Sequence, residues 1–359
     1  MLLLGMAAAV AMTSCSKDET TSINTGEGIA FRSAMGTRAA ETTIDNLSAF
    51  KVTALTDQNA PYFTDVIFTK SDGTTFTSDP AYYWPATGSL SFYAYAPSTL
   101  TGASITGDSK TLAVTPATEV KSQVDFITAN ATGNKTDNEG SGVALTFAHR
   151  LSQIQVKAKN TNTAYVFKVK GVKIGSVEST GTFDFASQAF TSPLSGTKAD
   201  YMIKYETEYT LAADAVNIMD QSGSSDNGCA MLIPQQLTEW DPSSDGTNTN
   251  QNAYLSVLVN ICTKDGAQIY PQVAGAYGWA AVGIDTNWEP GKRYVYTLDF
   301  SQGAGNVDPE TPDGGDPTPD PDPDPDDDRK PGEEIFGGAI KFNVSVTDWQ
   351  DAPQGDITM

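Results

Sequence analysis

The side chains able to do chemistry are few and far apart. The 359-residue chain holds one histidine, His149, and three cysteines, Cys15, Cys229 and Cys262. That removes a His/Cys zinc cage, which needs four such ligands together, and it argues against a Ser-His-Asp arrangement. Carboxylates are abundant, with 44 Asp and Glu against 22 Lys and Arg. Composition therefore permits a glycosidase with two carboxyls about 5–10 Å apart, but no local motif supports one. The densest acidic run, 316–328, alternates Asp with Pro. Its prolines impose an open geometry and no glycine stands where an EF-hand loop needs one, which argues against calcium. No metal and no cofactor are expected. His149 alternates with Phe147 and lies beside Leu151, so it reads as a histidine packed or hydrogen-bonded at a sheet end. Tyr82, Tyr83, Trp84, Trp279 and Trp288 can line a sugar site, though core packing explains them more simply. With Cys15 set aside, Cys229 and Cys262 remain as two free thiols or as one disulfide closing a loop of about 30 residues, a bridge worth about 3–4 kcal/mol.

These residues must be positioned by strands. Gly28–Ala34, Leu47–Thr56, Tyr62–Lys70, Leu90–Ala96 and Asp125–Ala129 are strand-length runs separated by turns rich in Gly, Pro, Asp and Ser. Ser71-Asp72-Gly73 and Lys264-Asp265-Gly266 read as hairpin turns. Val143, Leu145, Phe147 and His149 alternate, and Ile154, Val156 and Ala158 resume in the opposite phase. That phase change predicts a bulge or bend near 151–153. Tyr165–Ile174, Gly181–Phe190, Met202–Leu211, Tyr254–Cys262 and Arg293–Phe300 complete the set. No stretch keeps helical periodicity beyond about two turns. The pattern predicts an all-β protein with two tandem β-sandwiches, 39–141 and 142–302.

Charge and composition shift sharply toward each end. The net charge is −22, which argues against a nucleic-acid partner. Residues 303–334 carry twelve carboxylates against Arg329 and Lys330, and eight of the nineteen prolines. This Asp/Pro-rich linker is expected to be disordered and extended, with a reach on the order of 100 Å. Beyond it, in segment 335–359, Ile340, Phe342, Val344 and Val346 alternate with Lys341, Asn343, Ser345 and Thr347 before Trp349. A lone strand must join a sheet. It is either the last strand of its own domain or a donor added in trans to a neighbour. No segment reaches the roughly 18 unbroken apolar residues of a membrane span.

At the N-terminus, Leu2–Met12 is an apolar run of signal-peptide length. Met12-Thr13-Ser14-Cys15 resembles the lipobox of bacterial lipoproteins, and Ser16-Lys17-Asp18-Glu19 resembles the signal that sends some of them to the outer face of the outer membrane. No Lys or Arg precedes the run, a departure from that pattern. The resemblance implies a signal peptide over 1–15 and lipidation of Cys15, and two or three acyl chains would anchor the chain stably.

Further motifs resemble the fimbrillin family of type V pilus subunits. They are Tyr83-Trp84-Pro85 followed by Leu90-Ser91-Phe92-Tyr93-Ala94-Tyr95-Ala96-Pro97, then Asp125-Phe126-Ile127-Thr128-Ala129, Leu145-Thr146-Phe147-Ala148-His149-Arg150-Leu151, Leu232-Ile233-Pro234-Gln235, and Trp288-Glu289-Pro290-Gly291-Lys292-Arg293-Tyr294-Val295-Tyr296. Each alone is a weak signal, but they follow the family's order over most of the chain. The resemblance implies transthyretin-like sandwiches, export as a lipoprotein and assembly into fimbriae with other pilus subunits. It also implies removal of a prosegment, 16–38, by an arginine-specific protease. Cleavage between Arg38 and Ala39 fits by position and by small, flexible surroundings, although an ordinary surface arginine is as good a reading. Arg32 falls inside a predicted strand and is the poorer site. The expected location is the cell surface, in fimbriae or anchored in the outer membrane. A monomeric surface lipoprotein that binds a host glycan or protein through its loops stands as the alternative.

Overall fold

The computed structural model describes residues 26–35, 47–191, 194, 196–220, 228–309 and 329–349. Cys15, Arg38 and Ala39 lie outside them. Strands make up 51% of the chain and helix 2%, which makes it all-β, as the period-2 patterning requires.

The first half supplies β1 (Phe31–Met35), β2 (Ala49–Thr56), β3 (Pro61–Asp72), β4 (Thr75–Thr77), β5 (Ser89–Ala96), β6 (Ser104–Ile105), β7 (Lys110–Val114), β8 (Ile127–Asn134) and β9 (Val143–His149). Seven of these form a closed barrel in the order β1-β4-β3-β2-β5-β8-β9. The predicted turn Ser71-Asp72-Gly73 does connect β3 to β4, with Gly73 at φ +46°. Phe31, Phe50, Phe68, Phe76, Phe92, Leu145 and Phe147 fill the interior. The sequence pattern predicts a β-sandwich here. The sheet instead closes on itself because β1 bridges the edges of β4 and β9. β9 belongs to this barrel, and the chain leaves it at Arg150 and Leu151. The phase change in the sequence marks this crossing between domains, where the inward face switches from one core to the next.

The second half supplies β10 (Ser152–Lys159), β11 (Tyr165–Glu178), β12 (Gly181–Asp184), β13 (Ala189–Phe190), β14 (Lys198–Thr210), β15 (Val216–Asn217), β16 (Ala230–Leu232), β17 (Tyr254–Thr263), β18 (Gln268–Tyr270), β19 (Gly278–Gly283), β20 (Lys292–Asp299), β21 (Asn306–Val307) and β22 (Lys341–Asp348). One sheet runs β15-β10-β20-β22 with β16 also on β10. The other runs β14-β11-β17-β19-β21 with β18 on β17. Between them lies a core that includes Ile154, Val156, Phe167, Val172, Val257, Tyr296 and Leu298.

The halves are stitched together by a small sheet, β13-β12-β7-β6, in which β7 of the first half pairs with β12 of the second. A junction core drawn from both halves lies with it, including Leu55, Tyr95, Phe126, Leu151, Phe183 and Ile233. Arg150 crosses the junction, donating to Thr128 Oγ1 at 2.7 Å and to Gln188 Oε1, with its guanidinium over the Phe183 ring. Burial lowers its pKa to about 10, so it stays a cation at neutral pH.

The described residues at both ends of the Asp/Pro-rich segment are held against the rest of the chain. Residues 303–309 and 329–334 are docked on the second domain: Val307 N–H donates to Glu333 O at 2.8 Å, and Gly332 N–H to Val307 O at 2.9 Å. Gly305, at φ +72°, lets the chain pass so close to β19 that a Cβ there would lie 2.6 Å from Ala281 O. Mean composition over 32 residues hid these apolar and glycine contacts at both ends.

Candidate functional site

Two short strands with few lateral partners draw attention, one near each end of the described chain. β1 lies parallel to β9 through five residue pairs, from Phe31↔Val143 to Met35↔Phe147, but meets β4 through only Phe31↔Phe76 and Arg32↔Thr75. Its anchor is Phe31, fully buried, with ring centroids 4.7 Å from Phe68 and 5.0 Å from Phe92, both edge-on. Arg32 is exposed but sits in the ladder on both sides, a poor conformation for a protease substrate.

Among the described residues β22 pairs with β20, antiparallel over eight residues from Lys292↔Asp348 to Asp299↔Lys341, and takes an edge position in that sheet. Ile340 is buried, Phe342 and Val344 are half-buried against the second core, and Val346 is 51% exposed. The expected inward face thus fades along the strand. Trp349 restores burial at the far end, where its side chain enters the junction core. Its ring stacks on His149 at 4.4 Å and 16°. His149 Nδ1 lies 2.6 Å from Asp125 Oδ2, and both side chains are buried. The histidine is thus the packed, hydrogen-bonded residue at a sheet end that its pattern suggested. Its partners could not be read from the sequence, since 200 residues separate it from Trp349.

The remaining predicted residues do not converge. Cys229 and Cys262 are not in a disulfide. They stand beside different sheets: Cys229 lies just before β16, whereas Cys262 is on β17 with its Sγ 3.2 Å from Asn260 Oδ1. Trp84 and Trp288 are core residues. Trp84 packs edge-on against Phe92, and Trp288 donates to Tyr296 Oη at 2.9 Å. A cavity of about 470 Å³, lined by Ser176, Lys198, Asp200, Thr247, Asn248 and Gln251, contains none of the aromatics proposed for sugar binding. Among the described residues no group of His, Cys, Asp or Glu is arranged to hold a metal, and no helix is long and apolar enough to cross a membrane.

The geometry is that of an all-β chain in which β1 bridges β4 and β9 of a barrel and β22 lies on β20 of a second sheet system. A family model for fimbrillin-like proteins matches residues 37–314, and the chain belongs to that family. Solved structures similar to it include a candidate cell adhesion protein from Parabacteroides distasonis, at 10% identity and TM-score 0.52, covering 92% of this chain and 98% of the other. Another candidate cell adhesion protein, from Bacteroides ovatus, has 16% identity and TM-score 0.49, covering 90% and 98%. At these identities the likeness concerns the fold alone. No curated protein matches the sequence.

Proposed function

We propose that the protein is a structural subunit or pilus-associated component of surface fimbriae. In this reading it is exported as an outer-membrane lipoprotein through Cys15. It joins other subunits by β-strand addition after cleavage between Arg38 and Ala39 removes the prosegment. The observation that carries the reading is the placement of β1. It is a short strand at the start of the domain whose departure would leave β4 and β9 as facing open edges and would empty the Phe31 position. Unpaired edges with an apolar slot between them are what an incoming strand needs, since main-chain bonds give affinity and alternate side chains fill pockets. The segment Ile340–Trp349, with Ile340, Phe342, Val344 and Val346 alternating, is the donor in this scheme. Family membership and the cell-adhesion descriptions of similar folds agree with a surface role. No catalytic step or cofactor is involved.

Digestion of the mature protein with an arginine-specific protease tests this. A new N-terminus at Ala39 together with an oligomer ladder on an unboiled gel is expected. A monomer that stays intact at Arg38, or is cut there without polymerising, would overturn it. A second reading, a monomeric surface lipoprotein binding host glycan or protein, draws support from the full cis register of β22 on β20. It predicts the second outcome.

A further inference from the structure

The two terminal strands are not independent, because both lean on β9. Residues Val143–Phe147 of β9 are held laterally by β1. The neighbouring β8 pairs with β9 only at its end, through Ile127↔His149 and Thr128↔Ala148, followed by the bond from Arg150 N–H to Phe126 O at 2.9 Å. His149, the last residue of β9, is the platform on which Trp349 stacks. Trp349 in turn anchors the C-terminal end of β22, where Val346 is half in solvent and Ser345 and Thr347 are exposed. Along that stretch, docking of β22 rests on its ladder to β20, on the Lys292 Nζ–Asp348 Oδ1 pair at 2.6 Å and on the buried indole.

We infer that β9 couples the two strands, so that loss of β1 loosens His149 and frees Trp349 and β22 for exchange. This rests on the strand-exchange reading above and adds its regulation: a subunit becomes a donor only after its own prosegment has gone. Without β1, residues 143–147 lose five residue pairs and β9 becomes an edge held laterally only near its end. Elements with few remaining ladder bonds open locally at low cost. The His149 ring then hangs on the two β8 pairs and the Asp125 bond, at the end of a strand released over its first five residues, and a stack of two flat rings tolerates little displacement before its contact is lost. Coupling of this kind is reciprocal by thermodynamic necessity. Loosening Trp349 must therefore loosen β9 and β1 to the same extent.

Reciprocity makes the inference testable on the uncut, full-length monomer by hydrogen exchange read by mass spectrometry. Trp349→Ala is expected to speed exchange of β22 about tenfold or more. It should also speed exchange of β1 and of Val143–Phe147, while β2 and β5 keep their wild-type rates. Phe31→Leu, which weakens β1 at the opposite end, should speed exchange of β22. The milder Trp349→Phe carries the same test if the alanine variant does not fold. Faster β22 with β1 and β9 within twofold of wild type would overturn the coupling. So would uniform acceleration that includes β2 and β5, which would make Trp349 an ordinary core residue. Because no protease or polymer enters the measurement, failure here leaves the assembly reading standing. Failure of assembly likewise leaves the coupling measurable.

Discussion

One buried ion pair binds distant parts of the chain together. Lys173 Nζ lies 3.0 Å from Asp308 Oδ1, each side chain 3% exposed, with the ammonium near the rings of Tyr254 and Trp279. Removing one partner of a buried pair strands the other charge, whereas replacing both with apolar groups is often neutral. Asp308→Ala should therefore cost about 3–5 kcal/mol, and Lys173→Met with Asp308→Leu should recover most of it. Denaturant midpoints of the two variants check this. None of it was legible in the sequence. Asp308 reads as the first of twelve linker carboxylates, and Lys173 as a polar position in an alternating strand. His149 was legible as a structural residue from its alternation with Phe147. Trp349 was visible only as the residue after a patterned strand.

Elements were easier to read than their partners. Strand runs such as Leu47–Thr56 and Leu90–Ala96, and the turns at Gly73 and Gly266, announce themselves through local period and turn chemistry. The parallel pairing of β1 with β9, the pairing of β7 with β12 and the docking of 329–334 join residues far apart in the chain through strands of two to five residues. Such contacts leave no local signature. β22 was patterned clearly enough to demand a sheet, but an edge position and a neighbouring chain satisfy the same alternation. Deleting Ile340–Trp349 should leave a folded monomer of lowered denaturant midpoint, because neither barrel nor sandwich closes through β22 but the buried Ile340 and Trp349 are lost from their cores. The same deletion should abolish the oligomer ladder produced by arginine-specific digestion, as read by size-exclusion chromatography and an unboiled gel. Polymers that form normally without the segment would assign the donor elsewhere.

For the whole molecule, alternation foretold an all-β protein, but not that the strands of the first half would close into a barrel or that a shared sheet would weld the halves. The acidic balance has a consequence at this scale. Hydrogen bonds from Ala186 N–H and Ser187 hold the Asp184 carboxyl below its ordinary 3.8, and Lys168 and then Tyr277 hold Glu208 below 4.5. A depressed folded-state pKa contributes stability that is present above the unfolded value and lost as pH falls through the folded one. Glu239, raised by burial and by Asp285 and Asp241, works the opposite way. Urea midpoints are expected to fall between pH 6 and pH 3, with Asp184→Asn flattening part of the drop.

The route of the C-terminal segment carries one more implication. Val307, two residues before Pro309, is bonded to Gly332 and Glu333, which follow Arg329. The residues on either side of 310–328 thus share one patch of backbone, and the run from Ile335 to Trp349 is held by its own contacts. A chain nicked anywhere between Pro309 and Arg329 would remain a single particle of two fragments, complementing each other without a covalent joint. Its tail would then behave as a ligand with a concentration of its own, in competition with the tails of its neighbours.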